Sequence, residues 1–488
     1  MADLQVDVDA LAAAVVANSL TIRALVLLAG AVLTFFMQTG YAMVHVGCVQ
    51  LKNTKNTLIT NVFDSALASM VWWLIGFGFA FGDSDSSSNP FIGSDGFALS
   101  GSEFRGDDPS SLLAIRWAWW LLQWAFAGTT VTITSGAVAE RITWPAYAMY
   151  SAVFLGFIYP VVVYWAWSMD GWASPYLSAS DDLLSNCGVI DHAGSGVVHV
   201  SAGMAALVGA AMLGSRHGRF IEGIAREMPK ASWVYQTLGT LILWFGWFGM
   251  VGSIGFGYTS GGDSLVAARA MVNAAIAAGT SCLTCVILSQ LLDTVLSMEA
   301  ANNGILSGLV AIAAGAAVVE PEGAFVIGFI AALCYFFGAR LLVKIQVDDV
   351  VNASPVHLCA GAWGLIAPGL FATGELYQGA YGVIGGREQT CCGAFYGCSG
   401  DQLGAQLAFL VVIVCWVGTL VAATFFVAKV TVGLRLTTDI EDVGMDLSKH
   451  GGLTLAAVTG VPPVLQHLAQ RAHAGRSDGG ASSAAAPG

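Results

Sequence analysis

Long apolar runs, broken by short charged segments, set the pattern of this chain. Eleven windows of 17 or more residues hold no Asp, Glu, Lys or Arg: 24–51, 65–82, 117–139, 142–169, 195–215, 231–262, 270–292, 300–319, 323–339, 350–374 and 402–428. About 20 apolar residues let a helix cross the hydrocarbon of a bilayer. Each window therefore predicts a transmembrane helix. A twelfth charge-free window, 451–470, carries Pro462, Pro463, Gln466, His467 and Gln470 and reads as tail. The expected fold is an all-α polytopic membrane protein of eleven helices embedded in a lipid bilayer.

Composition agrees with the pattern. The chain is 56% hydrophobic and 10% charged, whereas soluble domains carry about 25% charged residues. The 15 Trp and 59 Gly suit interface belts and close helix packing. The first 20 residues carry Asp3, Asp7 and Asp9 but no Lys or Arg, so the basic start of a signal peptide is missing. A net charge of −13 makes a nucleic-acid partner unexpected. No nucleophile–base pair or nucleotide loop suggests an enzyme, and no cofactor is implied.

Charge also orients the chain. With the N-terminus outside, cytoplasmic segments would hold 14 of the 19 basic residues, leaving Arg23, Arg105, Arg116, Arg269 and Arg387 on the other side. The positive-inside rule then favours an outer N-terminus and a cytoplasmic C-terminus. Of the ten cysteines, Cys187, Cys391, Cys392 and Cys398 lie in loops, all on the outer side, where disulfides persist. They are disulfide candidates or free thiols. Cys282 and Cys285 fall inside a predicted helix and read as packing residues.

An internal echo carries the chemistry. VHVSAG at 198–203 matches VHLCAG at 356–361, and each His follows an acid by eight residues: Asp191 before His199, Asp349 before His357. GAVAER at 136–141 echoes GAAVVEP at 315–321. Together they suggest a duplication. An odd number of spans per copy, five, sets the copies in opposite orientations. Inverted repeats place a substrate path at the repeat interface near the bilayer midplane. The expected organisation is an extracellular N-terminus 1–23, a first repeat 24–215, a cytoplasmic linker 216–230 and a second repeat 231–374. An extracellular Cys-containing loop 375–401, an eleventh helix 402–428 and a cytoplasmic tail 429–488, disordered after about 463, complete it.

An ionisable group inside a membrane span is by default a functional hypothesis. A neutral imidazole offers one donor and one acceptor, so two facing imidazoles can bond a small polar guest or pass a proton. Buried packing residues are the plain alternative for His199 and His357. A metal site is a third reading, but it needs three or four ligands and no further partner stands beside the pair. Asp191 reads as a helix N-cap and also as a lure for cations, and Asp349 lies by symmetry at the inner start of span ten. Asp64 reads as structural. Trp165, Trp167 and Trp172 cluster at the outer end of span four, Phe126 lies in QWAFAG, and WFGWFG fills 244–249.

These residues resemble a family: the ammonium transporters of the Amt/Mep/Rh group, in particular the plant-type Amt branch. DHAGSGVVH at 191–199, QTGYAM at 38–43, KNT at 52–54, GAVAER at 136–141 and WSMDGW at 167–172 carry the likeness. So do NNGILSGLV at 302–310, HLCAGAWG at 357–364 and GMDLSKHGG at 444–452. The resemblance implies a homotrimer in the plasma membrane with one pore per subunit. It implies that His199 and His357 are twin pore histidines. Asp191, Trp167, Phe126 and Ser253 would recruit substrate at the outer mouth, and Phe126, Met250 and Trp247 would gate and line the pore. Asp349 would be the symmetric inner acid. Met250 stands where the family has Phe, the stretch to Ser253 is one residue short, and His192 replaces a Phe or Tyr. Ser448 matches a tail Thr that kinases can phosphorylate to close the pores.

The expected mechanism follows from the ion. A bare cation entering hydrocarbon pays a large desolvation penalty, and a pore of Val, Leu and Phe offers no carbonyl ring to replace its water. Ammonium, and methylammonium with it, can shed a proton and proceed as a neutral amine. The alternatives are an ammonium sensor or transceptor with low flux, and an Rh-like channel for neutral gas.

Overall fold

The computed structural model describes residues 2–82, 89–100, 104, 111–177, 183–255, 264–382 and 386–451. The tail expected to be disordered, and the end of the 231–262 window, lie outside the described residues. Helices occupy all eleven charge-free windows. They are α1 (Ala2–Cys48), α2 (Leu51–Phe81), α3 (Ser111–Val138), α4 (Trp144–Trp167), α5 (Ser195–Leu213) and α6 (Trp233–Ser253). Then follow α7 (Ser264–Asp293), α8 (Met298–Ile312), α9 (Pro321–Lys344), α10 (354–371) and α11 (Asp401–Thr431). Among the described residues, eight helices are long and apolar enough to cross a membrane; α3, the 15-residue α8 and the broken α10 fall outside that set. The protein is a mostly helical, polytopic membrane protein. Its one small hairpin, among the described residues, pairs Phe220–Ile221 with Ile224–Ala225.

The helices divide the loops between two faces. One, the tail face, gathers the ends of α1, α3, α5 and α9 with the C-terminal segment. The other, the cysteine face, gathers the ends of α4, α8 and α10 with both disulfides, Cys187–Cys391 and Cys392–Cys398. The two echoes fall at matching places. GAVAER closes α3 and GAAVVEP fills the turn between α8 and α9, while the two His motifs open α5 and α10.

Both His motifs begin in a π-helical turn, Ser195–Val200 and Ser354–Cys359. Such turns insert an extra residue and re-aim side chains, often at functional sites. Two other π turns lie in α2 (Trp72–Gly76) and α4 (Phe154–Ile158). Pro160 follows the second and has no N–H to bond the preceding turn.

α5 and α10 cross antiparallel, and the glycine of each motif is where the other helix passes. A methyl group placed on Gly203 would lie 2.3 Å from Leu358 N and 2.7 Å from His357 C. One on Gly361 would lie 2.9 Å from Ser195 O and 3.3 Å from His199 Cβ. V-H-x-x-A-G thus holds both the imidazole and the small residue that lets its partner approach.

The tail face carries a buried ionic network. Arg216 grips Asp348 through Nε (2.8 Å) and Nη2 (2.9 Å) and meets Glu140 through Nη1 at 2.5 Å. Glu140 also accepts from Gln50 N and Asn53 Nδ2. Burial alone would raise Asp348; the hydrogen bonds and charge of Arg216 outweigh it and hold the carboxyl at about 2. Arg141 donates to the carbonyls of Ala137, Ala139, Gly214 and Asp348. Nearby, the tail docks on the KNT motif. Asp446 accepts from Lys55 N (2.9 Å) and Asn56 N (2.8 Å), Asn53 Oδ1 accepts from Met445 N, and Lys52 donates to the carbonyls of Glu441 and Asp442. Asp446 caps the first turn of α2 as an N-cap side chain would, but from a distant stretch of chain.

Two predictions follow from this packing. Gly203→Ala meets rigid backbone and should destabilise by about 1–3 kcal/mol, more than Gly361→Ala, read as the thermal midpoint of purified protein in detergent. Arg216→Met leaves Glu140 and Asp348 buried without their cation and should destabilise by about 3–5 kcal/mol. The depressed Asp348 contributes stability that is complete above the ordinary carboxylate value, near 4, and lost as pH falls toward about 2. In Arg216→Met burial raises the carboxyls instead, so acid neutralises them, and the gap between wild-type and variant melting points should narrow as pH falls through about 4 and below, read from melting curves across pH.

Candidate functional site

The crossing of α5 and α10 brings the two repeated histidines together. His199 and His357 are buried, with Nδ1 atoms 3.2 Å apart and ring centroids 5.1 Å apart. One imidazole donates and the other accepts. Trp247 of α6 stacks on the open side of His199 at 5.1 Å, with 14° between the planes. His199 Nε2 is buried and has no hydrogen-bond partner among the described residues. Among the described residues no group of three or more His, Cys, Asp or Glu could hold a metal.

Toward the cysteine face lies a second constellation. Asp191 precedes α5, and its Oδ2 accepts from Gly196 N (3.1 Å) and Val197 N (2.8 Å). Its carboxylate caps the start of α5 from three residues before Gly194, which holds the N-cap position. Its Oδ1 is buried with no partner among the described residues. Trp167 Nε1 donates to Asp191 O at 2.8 Å, and Phe126 meets the Trp167 ring edge-to-face at 5.6 Å. Asp191, Trp167 and Phe126 therefore form one group. Asp349 repeats the cap at the tail face, accepting from Ala353 N (3.0 Å) and Ser354 N (2.6 Å).

Ser253 stands apart from that group. It is buried against Gly30 of α1, and its hydroxyl donates to Gly249 O at 2.7 Å. Met250 is buried on α6, three residues from Trp247 and so on the same side of the helix. Ser448 lies half-buried in the short helix Met445–Lys449, beside the Asp446 that caps α2. Asp64 accepts the Tyr147 hydroxyl at 2.7 Å, a structural contact. Cys285 packs on α9 and points its thiol at Ala332 O.

Three polar contacts go beyond what the sequence motifs specify. His192 Nε2 donates to Val251 O at 2.8 Å, which ties the Asp191 loop to the end of α6. Ser195 Oγ bridges Val310 O (2.7 Å) and Ala314 N (2.8 Å). His45 of α1 is buried near His357: the Tyr41 ring lies 6.0 Å from the one and 6.5 Å from the other. A single His in the apolar 24–51 window was the only signal for His45, since it has no repeat counterpart.

A family model described as Ammonium Transporter Family matches residues 25–454. The chain belongs to the ammonium transporter family. Within that family, ammonium transporter 1 member 1 of Arabidopsis thaliana is 41% identical over 420 residues, 84% of this chain and 80% of that protein. Ammonium transporter 1 member 3 of Solanum lycopersicum is 39% identical, covering 88% and 92%. Among solved structures, one titled Sensor Amt Protein superposes with a TM-score of 0.76 at 28% identity, over 88% of this chain and 99% of that one. Mep2 of Candida albicans shares the fold, with a TM-score of 0.74 at 24% identity over 90% and 91%.

The Asp191 geometry yields a test of its own. Asp191→Asn keeps an oxygen for Gly196 N and Val197 N but replaces the unpartnered oxygen and removes the charge. It should fold near wild type while ammonium uptake falls. Asp191→Ala also loses the cap and should cost a further 0.5–2 kcal/mol or so of stability. Melting and tracer uptake on both variants separate the two effects.

Proposed function

We propose that this ammonium transporter gathers ammonium beside Asp191, Trp167 and Phe126, strips a proton there, and passes ammonia along His199 and His357. Membership of the family makes the chain a transporter of ammonium rather than an enzyme; the route is our reading. The observation that carries it is the buried imidazole pair between two capped, antiparallel half-paths. Ammonium collects where a carboxylate oxygen and two aromatic rings receive it, since a cation over a ring gains about 0.5–2 kcal/mol. It sheds a proton there because hydrocarbon gives the cation nothing, and that proton either returns to the outer solution or passes to the His199–His357 pair. Ammonia then needs only one donor and one acceptor, which an imidazole supplies. Methylammonium fits the same route.

The cysteine face lies outside the cell in this reading, and the protein works as a homotrimer in the plasma membrane. The 14 basic residues of the tail side support that orientation, as do paired cysteines on the opposite face. A kinase acting on Ser448 would add negative charge beside Asp446 and oppose the seating of the tail on α2. A second reading, an ammonium sensor with low flux, draws on the solved relative titled Sensor Amt Protein and on a Ser253 hydroxyl turned back onto its own helix.

Voltage-clamped uptake of ammonium and methylammonium across external pH, with and without His199→Ala, tests this. The expected outcome is uptake that His199→Ala abolishes. Uptake unaltered by His199→Ala refutes the route through the histidines. Binding without uptake supports the sensor.

A further inference from the structure

We propose that His45 is a third proton-holding station, on the tail side of the twin histidines, separated from His357 by a cavity that takes one water or ammonia molecule. The inference rests on the ammonia route above and adds to it a path for the released proton.

The cavity measures about 20 Å³ and is lined by Tyr41, His45, Ile133, Asn303, Val351 and His357 among others. About 10–15 Å³ is enough for one water when two or more polar groups receive it. The Tyr41 hydroxyl is buried and has no partner among the described residues, so a guest in the cavity would relieve it. Asn303 is held in place by Tyr335, to whose hydroxyl its Nδ2 donates at 3.0 Å. His45 is held too. Ser135 gives its proton to Thr132 O at 2.7 Å, which leaves the Ser135 oxygen to accept Nδ1–H of His45 at 3.5 Å. Nε2 then keeps a lone pair.

The transfer balances. An N–H bond of protonated His357 breaks as one forms on the guest, and another N–H or O–H bond of the guest breaks as one forms on His45 Nε2. The guest is unchanged, and one positive charge has moved from His357 to His45. His45 then yields that proton to an ammonia leaving the cavity, and ammonium emerges on the tail side. No oxidant or further reactant takes part. Neutral ammonia need not wait for this hop, so flux of the amine and flux of charge become separable at His45.

The test uses His45→Gln in the full chain, with tracer methylammonium uptake and current recorded together and His199→Ala in parallel. Glutamine keeps hydrogen bonding but carries no proton. Tracer uptake should be retained while current per methylammonium falls about a hundredfold, at the low end of what a positioned proton carrier contributes. If His45→Gln fails to reach the membrane, His45→Asn carries the same measurement. An unchanged ratio of current to uptake overturns the proposal, as does a loss of both in proportion, which marks His45 as a packing residue. Wild-type uptake without current also overturns it while leaving the ammonia route standing. That route fails separately, if His199→Ala leaves uptake intact.

Discussion

The contact on which the rest depends is the close antiparallel crossing of α5 and α10. Two imidazoles meet there at 3.2 Å because two glycines remove the side chains that would hold the backbones apart. In hydrocarbon no water can stand in for a missing partner. Each His must find its bond in protein or in a guest, and the crossing provides half of that bonding and leaves the other half open on His199 Nε2.

The same constraint orders the polar groups elsewhere. Asp191 and Asp349 each turn a carboxylate toward the backbone N–H groups of a helix start, which gives a partner to two of the donors that the start of α5 and of α10 would leave unpaired. At the tail face, three buried charged side chains, Glu140, Arg216 and Asp348, satisfy one another and the chain around them. Most of the charge among the described residues thus sits at the two rims; Asp64, within α2, is buried against the Tyr147 hydroxyl.

Much of this was legible in the sequence. Charge-free windows located the helices because a span tolerates few ions, and most ends moved by a few residues, although α1 begins at Ala2 and α2 at Leu51, well before their windows open at 24 and 65. The His and Asp pairs were legible because the same spacing occurs twice in the chain. What was written once stayed hidden. His45 has no echo and looks like any isolated residue in an apolar run. The Arg216 network joins three loops far apart in sequence, so no local spacing reveals it. The one-residue shortening before Ser253 was visible, but its consequence needed the neighbouring helix: only the approach of Gly30 shows which way the hydroxyl turns. The cysteine candidates were evident from loop position, whereas Cys187 pairing with Cys391 across 204 residues depends on two loops meeting on one face.

The cap that Asp446 places on α2 has a consequence for biogenesis. Its acceptor and its donor at Asn56 are separated by 390 residues. At about 5–20 residues per second, a ribosome needs on the order of 20–80 s to travel between them. Throughout that interval the second helix enters the bilayer with its opening turn unfinished. A stretch near the end of the chain thus completes one near its beginning, which makes a truncated nascent chain chemically distinguishable from a finished one at the membrane surface.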